Sequence, residues 1–346
     1  MTITHAVRPV SSSGSPGPGQ LPRNLWPLFR FGFVRIGQSV LTLAVLVPAT
    51  FLLFRAVPGD PAAAVIGPDV DPAVAEQLRQ RYGLDDPLPM QFQSYCQALL
   101  HGDLGMSFQY KVPVTDVLGE ALINTAVLVV PAIILAVLIG VWLGAFAATS
   151  RPRVDGGLRT SAFVVKASPV FWVSTLALML FGLILGLVPS IGMFSPGRAD
   201  GGTFWSWDFL HHLLLPLSIL VMYYLVEPML TMRTAMNDVL GQEFIAHGKA
   251  QGLAASRIIY RHGARNAMLP VVTLAPTLVD NVIGGQVIVE TVFSWPGMGR
   301  AVVEAVNNFD YPVMQGVFLL TAVTVVAVNA TVDVMYAYLD PRVRLA

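Results

Sequence analysis

Long runs without a charged residue are the feature that most constrains how this chain can fold. The longest lies between Glu120 and Arg151 and contains thirty uncharged residues, which as an α-helix would extend about 45 Å. Crossing the hydrocarbon core of a bilayer takes only about 20 residues. With 54% apolar and 12% charged residues and a mean hydropathy of +0.63, the chain is expected to be a polytopic membrane protein.

Six apolar runs, four of which contain a charged residue, predict an all-α membrane protein with six transmembrane helices. The runs are residues 33–57, Glu120 to Arg151, Lys166 to Arg198, Asp208 to Arg233, Leu269 to Glu290 and Tyr311 to Tyr338. Residues 58–120 are polar and rich in Pro and Gly, which is typical of a small folded insert outside the membrane. Residues 1–32 include SSSGSPGPGQLPR and are expected to be a disordered tail. The remaining residues, 121–346, would form the core domain.

The distribution of basic residues predicts the orientation of these helices. Of 21 Lys and Arg residues, 15 fall on the side that holds the amino terminus and 6 on the other. Cytoplasmic loops carry the excess of positive charge, so both termini and the loop 233–268 are expected in the cytoplasm and the insert outside it. A net charge of +0 gives no reason to expect a nucleic-acid partner.

The segment EFIAHGKAQGLAASRIIYRHGARNAMLP at 243–270 has the composition of a surface that contacts another protein. Small residues occupy alternate positions in its first half, namely Ala246, Gly248, Ala250 and Gly252. A helix carrying them would offer a low surface that a partner backbone could approach closely. Because glycine costs about 1 kcal/mol relative to alanine inside a helix, a packing reason for Gly248 and Gly252 is expected.

The second half of this segment is basic. Arg257, Arg261 and Arg265 are four residues apart, so on a helix they would line one side. Binding of a partner and a side facing solvent or lipid headgroups explain that row equally well. Pro270 is expected to interrupt the helix where the next apolar run begins.

This segment resembles the cytoplasmic coupling loop of permease subunits in bacterial ABC importers, and within them the dipeptide, oligopeptide and nickel branch. In that branch an acidic residue and an aromatic residue precede A-x-A-x-G-L, and R-N-x-x-x-P follows. The matching residues are Glu243, Phe244, Gly248, Ala250, Gly252, Leu253, Arg265, Asn266 and Pro270. Gly248 departs from the pattern, since the branch usually has Ala there. The strings PGDP, YGLDDPLP and GDLG in the insert, ETVFSWPGMGR and the terminal DPRVR also resemble this branch.

The resemblance implies a type I importer permease in the bacterial inner membrane. Its partners would be a second permease subunit, two cytoplasmic ATPase domains that bind ATP and Mg²⁺, and an extracytoplasmic substrate-binding protein. The chain itself would not be an enzyme, and it would bind no cofactor or metal. The cargo stays open between dipeptides, oligopeptides, nickel and other small solutes.

Acidic residues within the apolar runs are candidates for the translocation path. Asp280, followed by Asn281, lies in the middle of the fifth run, and Glu227 lies in the fourth. A carboxylate at mid-span costs about 2.5 to 3.5 kcal/mol on insertion scales, so Asp280 is expected to be paired, protonated or facing water. Either it lines the path and favours a cationic group, or it is protonated and bonded to a neighbour.

Two rival function classes lack sequence support. A proton-coupled transporter could use Asp280, Asp333 or Glu227, but inverted repeats are not found in the sequence. An enzyme lacks a constellation: Gly248-Lys249 is not part of a phosphate-binding loop, and H-E-x-x-H and G-x-S-x-G are missing. The single cysteine, Cys96, has no neighbours at metal-ligand spacing. In the last outer loop, Phe293, Trp295 and Tyr311 are expected to be interfacial anchors.

Overall fold

The computed structural model describes residues 26–56, 86–197, 203–254, 256–274 and 286–339. These ranges contain helices and connecting turns and no strand, apart from an isolated bridge between Met106 and Pro113. The predicted all-α fold class is therefore confirmed for this part of the chain. Asp280 and Asn281 lie outside the described residues.

The helices with defined bounds follow the chain in this order: α1 (Trp26–Ala56), α2 (Leu88–Leu100), α3 (Val114–Thr149), α4 (Pro152–Ala167), α5 (Val170–Ala177), α6 (Trp207–Tyr224), α7 (Val226–Leu240), α8 (Glu243–Ala250), α9 (Ala264–Val272), α10 (Met298–Asn307) and α11 (Tyr311–Leu339). A π-helical turn, Leu178–Ile184, extends α5, and another, Arg257–Gly263, precedes α9. Residues 286–292 are also helical. The helix α1 begins inside the segment predicted as a tail, and α3 begins inside the predicted insert.

Three helical segments within the described ranges are long and apolar enough to cross a membrane. They are Val114–Thr149, Trp207–Leu240, which joins α6 to α7, and Tyr311–Thr331. A fourth exists if α4 and the extended α5 form one span, although they meet at a bend of 99°. Ser168 and Pro169 stand at this bend. Pro169 disfavours the helical conformation at the residue before it, and Ser168 is accordingly extended, with ψ 131°. The count of six helices stays a prediction.

The helices α3 and α7 approach each other closely. Gly140 and Gly144 lie one turn apart on α3, facing α7. A methyl group at Gly144 would lie 2.8 Å from Met232 Cβ, and one at Gly140 would lie 2.8 Å from the carbonyl oxygen of Leu225. Small residues four apart allow membrane helices to pack backbone against backbone. The two helices are therefore in direct main-chain contact.

An ion pair between Arg233 and Asp155 links α7 to α4. The guanidinium of Arg233 binds both carboxylate oxygens of Asp155, and one of these contacts, from NH2 to Oδ2, measures 2.6 Å. The sequence places Arg233 at the end of the fourth apolar run, whereas α7 continues through it to Leu240. Two planar groups held by two bonds have a defined relative orientation.

Candidate functional site

The helix α8 carries the predicted partner-binding residues and ends in a glycine turn. Gly252 has a φ of +73°, the left-handed conformation that favours glycine. The N–H of Leu253 donates to the carbonyl oxygen of Gly248 over 3.2 Å, the six-to-one bond of a Schellman motif. The structure therefore does not place all four small residues on one helix, because Gly252 lies beyond the end of α8. Glycine is favoured at position 252 by the left-handed φ of this turn and not by packing against a partner.

Gly248 is buried against its own chain and not available to a partner. A methyl group at this position would lie 3.5 Å from Leu253 Cδ1 and 3.9 Å from Ile258 Cδ1. Both distances are ordinary van der Waals contacts, so the alanine usual in the related loops would be accommodated. Leu253 folds back over the last turn, as an apolar residue after a Schellman turn often does.

The exposed side of α8 is formed by Glu243, Phe244, Ala246 and Ala250, which together we call the coupling surface. Ile245 is fully buried and anchors the helix, whereas Phe244 is 42% exposed. Glu243 lies in the first turn, where a carboxylate complements the helix dipole. The exposed ring of Phe244 is a suitable contact for a partner protein, because aromatic residues are enriched in the buried centre of interfaces.

The chain after α8 returns through the π-helical turn into α9. Arg257, Arg261 and Arg265 are all exposed there, as is Asn266. Ile258 is buried, and a methyl group at Gly263 would lie 3.3 Å from Met236 Cε of α7. This packing holds the coupling surface at a fixed position relative to α7.

Pro270 lies inside α9, which continues to Val272, so the predicted interruption of the helix at Pro270 is wrong. Proline is tolerated inside membrane helices when other groups satisfy the freed backbone acceptors. The hydroxyl of Thr273 donates to the carbonyl oxygen of Pro270 over 2.7 Å, which adds a bond at the end of the helix.

Of the predicted path residues, the structure describes only Glu227. It stands in the first turn of α7 and forms an ion pair with Lys166 of α4. Both side chains are partly exposed. An opposite charge stabilises the ionised carboxylate, so Glu227 has a structural partner as well as access to solvent. Its role in the path stays a prediction.

A fully buried carboxylate, Glu290, organises the loop before α10. Its Oε1 accepts a hydrogen bond from Thr125 Oγ1 at 2.7 Å. Its Oε2 accepts from the main-chain N–H groups of Gly299, at 2.7 Å, and Arg300, at 3.3 Å. The latter two are the free donors at the start of α10, where an anion is favoured. Three donors thus replace the water that this carboxylate has lost.

The residues 295–298 attach this loop to α3. Trp295 is completely buried, and its Nε1 donates to the carbonyl oxygen of Asn124 over 2.9 Å. In return, Asn124 Nδ2 donates to the carbonyl oxygen of Pro296 over 2.9 Å. The N–H of Met298 donates to Thr125 Oγ1 over 2.8 Å. The prediction of interfacial anchors at Phe293, Trp295 and Tyr311 is wrong, because all three are buried in the chain itself.

A second polar network joins the segment before α3 to α10 and α11. Ser107 Oγ donates to Asp310 Oδ2 at 2.5 Å, and Tyr110 OH donates to Glu304 Oε2 at 2.7 Å. Arg300 Nε donates to the other carboxylate oxygen of Glu304 at 2.5 Å. Burial, together with the bond to Glu304, raises the pKa of Tyr110 to about 12. Burial alone raises the pKa of Glu304, but the hydrogen bonds from Tyr110 and Arg300 outweigh it and lower that pKa.

A cavity of about 570 Å³ opens beside this network. Three acidic residues are among those that line it, Asp116 and Glu120 from the first turns of α3 and Glu304 from α10, and so is Arg300. Its size is that of a small-molecule site.

Sequence reasoning missed Glu290, Asp310 and Thr125 as structural centres. The available signal was the pair Gly297 and Gly299, which follow an acidic residue at the end of an apolar run. A methyl group at Gly297 would lie 2.5 Å from Glu290 Cδ, and one at Gly299 would lie 2.5 Å from Val287 Cα. Both glycines therefore make room for the carboxylate and its helix.

Two family models match the chain. Residues 136–345 match the model described as "Binding-protein-dependent transport system inner membrane component". Residues 28–129 match the model for the N-terminal part of such membrane components. Together these matches cover the coupling surface, the Glu290 loop and all of α3 except residues 130–135.

Individual relatives match along nearly their whole length. The chain is 33% identical over 314 residues to the oligopeptide transport system permease protein AppB of Bacillus subtilis, covering 89% of this chain and 98% of that protein. It is 35% identical over 304 residues to the glutathione transport system permease protein GsiC of Salmonella paratyphi A, covering 88% and 95%. The similarity therefore extends over nearly nine tenths of this chain.

Proposed function

Because the chain belongs to the family of binding-protein-dependent transport system inner membrane components, we propose that it is the permease subunit of an ATP-driven importer of di- or oligopeptides. The observation that carries this proposal is similarity to an oligopeptide permease protein over 98% of that relative's length. Cargo in such systems crosses the membrane subunits, so likeness along the entire chain supports a shared class of cargo. Family membership also favours ATP-driven over proton-coupled transport.

The proposed assembly contains a second permease subunit as heterodimer partner, two cytoplasmic ATPase domains and an extracytoplasmic substrate-binding protein. ATP and Mg²⁺ bind to the ATPase domains, and this chain performs no catalysis. It crosses the inner membrane six times, with both termini and the loop 233–268 in the cytoplasm. The tail 1–32 leads into α1, which begins at Trp26, the insert 58–120 lies outside and includes the first turns of α3, and residues 121–346 form the core.

The coupling surface is the proposed ATPase contact. Phe244 offers an exposed apolar ring, and Ala246 and Ala250 let a partner approach the helix backbone. Gly252 and Leu253 terminate α8, while Arg265, Asn266 and Pro270 belong to the return into the membrane. Closure of the ATPase domains on ATP would move α8 and bias two arrangements of the helices that differ by a few kcal/mol. Cargo then passes between the permeases, past Asp280, Asn281 and Glu227.

The proposal is tested by reconstituting the complete complex in proteoliposomes. Uptake of radiolabelled trialanine, glutathione and Ni²⁺ is compared with and without ATP on the ATPase side, and with and without a protonophore. We expect ATP-dependent uptake of a peptide that resists the protonophore. Uptake that collapses with the proton gradient would contradict the ATP-driven class, and uptake of Ni²⁺ alone would contradict the peptide cargo.

Orientation is tested separately by cysteine labelling in a Cys96→Ala background. His101→Cys, at an exposed position after α2, should react with a membrane-impermeant maleimide added outside intact cells. Ser256→Cys, exposed beside the π-helical turn, should react only after the membrane is opened. Reversed labelling would place the coupling surface on the wrong side for an ATPase.

A further inference from the structure

A second cavity, of about 320 Å³, lies between α3, α11 and the helical residues after 286. Aliphatic side chains form most of its wall, including Val129, Ile133 and Val325, and Gln286 and Thr324 are among its few polar residues. No charged side chain is among the described residues that line it. Its size lies at the lower end of the range of about 300 to 1,000 Å³ found for small-ligand sites.

Gln286 has an unpaired acceptor in this wall. Only 9% of the residue is exposed, and among the described residues its Oε1 has no hydrogen-bond partner. A buried carbonyl oxygen without a donor is unfavourable, and more so at membrane depth, where water is scarce. An occupant that brings a donor to this oxygen would remove the deficit.

Two further polar groups of the cavity, the hydroxyls of Thr324 and Thr125, also leave acceptors toward an occupant. The hydroxyl of Thr324 donates to the carbonyl oxygen of Leu320 over 2.7 Å, so only its oxygen lone pairs are left for a ligand. The hydroxyl hydrogen of Thr125 is already used in the bond to Glu290. The cavity therefore suits a ligand that combines an N–H donor with an apolar group.

Lipid and a partner helix meet these requirements less well than a peptide. An acyl chain has no donor at all. A transmembrane helix uses its backbone N–H groups internally, so it could supply only a side-chain donor. An extended peptide in transit has free backbone N–H groups beside its side chains.

We propose that the Gln286 cavity binds the peptide in transit, with Gln286 Oε1 accepting a backbone N–H and the aliphatic wall holding an apolar side chain. This inference rests on the proposed function and adds the chemical class that the path prefers, a neutral peptide segment with an apolar residue. Thr125 and Met298 line the same cavity and belong to the Glu290 network. The Gln286 cavity therefore shares Thr125 and Met298 with the network around Glu290.

The test combines Gln286→Leu with backbone N-methylation, in the reconstituted complex with its binding protein. Uptake of trialanine is compared with that of trialanine methylated at its second or third nitrogen. Since both protein variants receive cargo from the same binding protein, its own preference cancels in the comparison. At one of the two nitrogens, methylation should reduce uptake by the wild type about fivefold more than uptake by Gln286→Leu. This factor corresponds to the loss of one hydrogen bond, which only the wild type can form. Gln38→Leu, exposed on α1, is the matched control and should discriminate like the wild type.

Equal discrimination by wild type and Gln286→Leu at both nitrogens would overturn the inference while leaving the proposed function intact. Absence of ATP-driven peptide uptake by the wild type would instead contradict the proposed function. The two failures are therefore distinguishable.

A second measurement covers the case in which Gln286→Leu does not assemble. In a Cys96→Ala background, Val325→Cys lies in the cavity wall, and Val323→Cys is exposed on the same helix but outside it. During turnover, trialanine should slow maleimide labelling of Val325→Cys severalfold and leave Val323→Cys unaffected. Labelling of Val325→Cys that is unchanged by peptide, or a crosslink from it to the partner permease, would assign the cavity to lipid or to the partner helix and overturn the proposal.

Discussion

Thr125 Oγ1 donates a hydrogen bond to Glu290 Oε1 over 2.7 Å, and the same oxygen accepts the N–H of Met298 over 2.8 Å. One hydroxyl on α3 thus satisfies two groups that are more than 160 positions away in sequence. All three groups are buried. Together with the two bonds through Asn124, this oxygen attaches the Glu290 loop to α3.

Thr125→Val is therefore expected to destabilise the protein. Valine has the same shape but leaves a buried carboxylate with one donor fewer and a main-chain N–H unpaired, which costs about 1 to 3 kcal/mol. The unfolding temperature of the purified complex in detergent should fall. Thr149→Val on the same helix is the control, because the hydroxyl of Thr149 bonds only to carbonyl oxygens of α3 itself. Equal effects of the two substitutions would contradict the role of Thr125.

Gly144→Ala should separate α3 from α7. The added methyl group would lie 2.8 Å from Met232 Cβ and 3.0 Å from the nitrogen of Arg233, so the helices must shift, at about 1 to 3 kcal/mol. Gly119→Ala, on the same helix, meets nothing within 4 Å. It should be neutral or stabilising by up to about 1 kcal/mol. Thermal unfolding of both variants measures the difference, and a Gly144→Ala protein as stable as Gly119→Ala would contradict the close approach.

Glu304 should contribute to loss of stability in acid. Its pKa in the folded protein lies below the ordinary value of 4.5, so its contribution is present above 4.5 and is lost as the pH falls through the lowered value. Between about pH 5 and 3, the unfolding temperature of Glu304→Gln should drop less than that of the wild type. Tyr110→Phe removes one of the two donors that lower the pKa and should fall between them. An identical drop in all three proteins would contradict the prediction.

Gly252→Ala should impair coupling more than Gly252→Asn. A side chain at this position meets nothing within 4 Å, but the φ of +73° is strained for any residue with a Cβ, at about 1 to 2 kcal/mol. Asparagine adopts this conformation more readily than alanine. The ratio of peptide uptake to ATP hydrolysis in proteoliposomes should be reduced for Gly252→Ala and closer to wild type for Gly252→Asn. The reverse order would indicate that Gly252 acts through space and not through its conformation.

The hydrophobic pattern alone predicts the helices that are apolar on all sides. The runs from Glu120 to Arg151 and from Tyr311 to Tyr338 overlap α3 and α11, because an α-helix pairs its backbone groups within one apolar segment. Their boundaries are less predictable. Arg233 ends an apolar run, yet α7 continues through it to Leu240 and the charge of Arg233 is compensated by Asp155, a distant partner that the sequence does not reveal.

The errors at the candidate sites have a common physical origin in tertiary contacts. Trp295 is a residue type that is enriched at membrane interfaces. Its indole N–H instead donates to a main-chain carbonyl of α3, and its ring is buried. Gly252 has the spacing of a packing residue, but its φ makes it a helix terminator. Glu290 was visible only as the end of an apolar run, because the donors that bind it come from α3 and α10.

The main-chain contact between α3 and α7 at Gly140 and Gly144 determines how displacements travel through the molecule. Where side chains separate two helices, they can change rotamer and absorb part of a shift. Two backbones in contact have no such freedom, so α3 must follow any translation of α7. Since α7 leads within three residues into α8, a push delivered at the coupling surface reaches the far end of α3, and with it Thr125, without side chains between the two helices to absorb it.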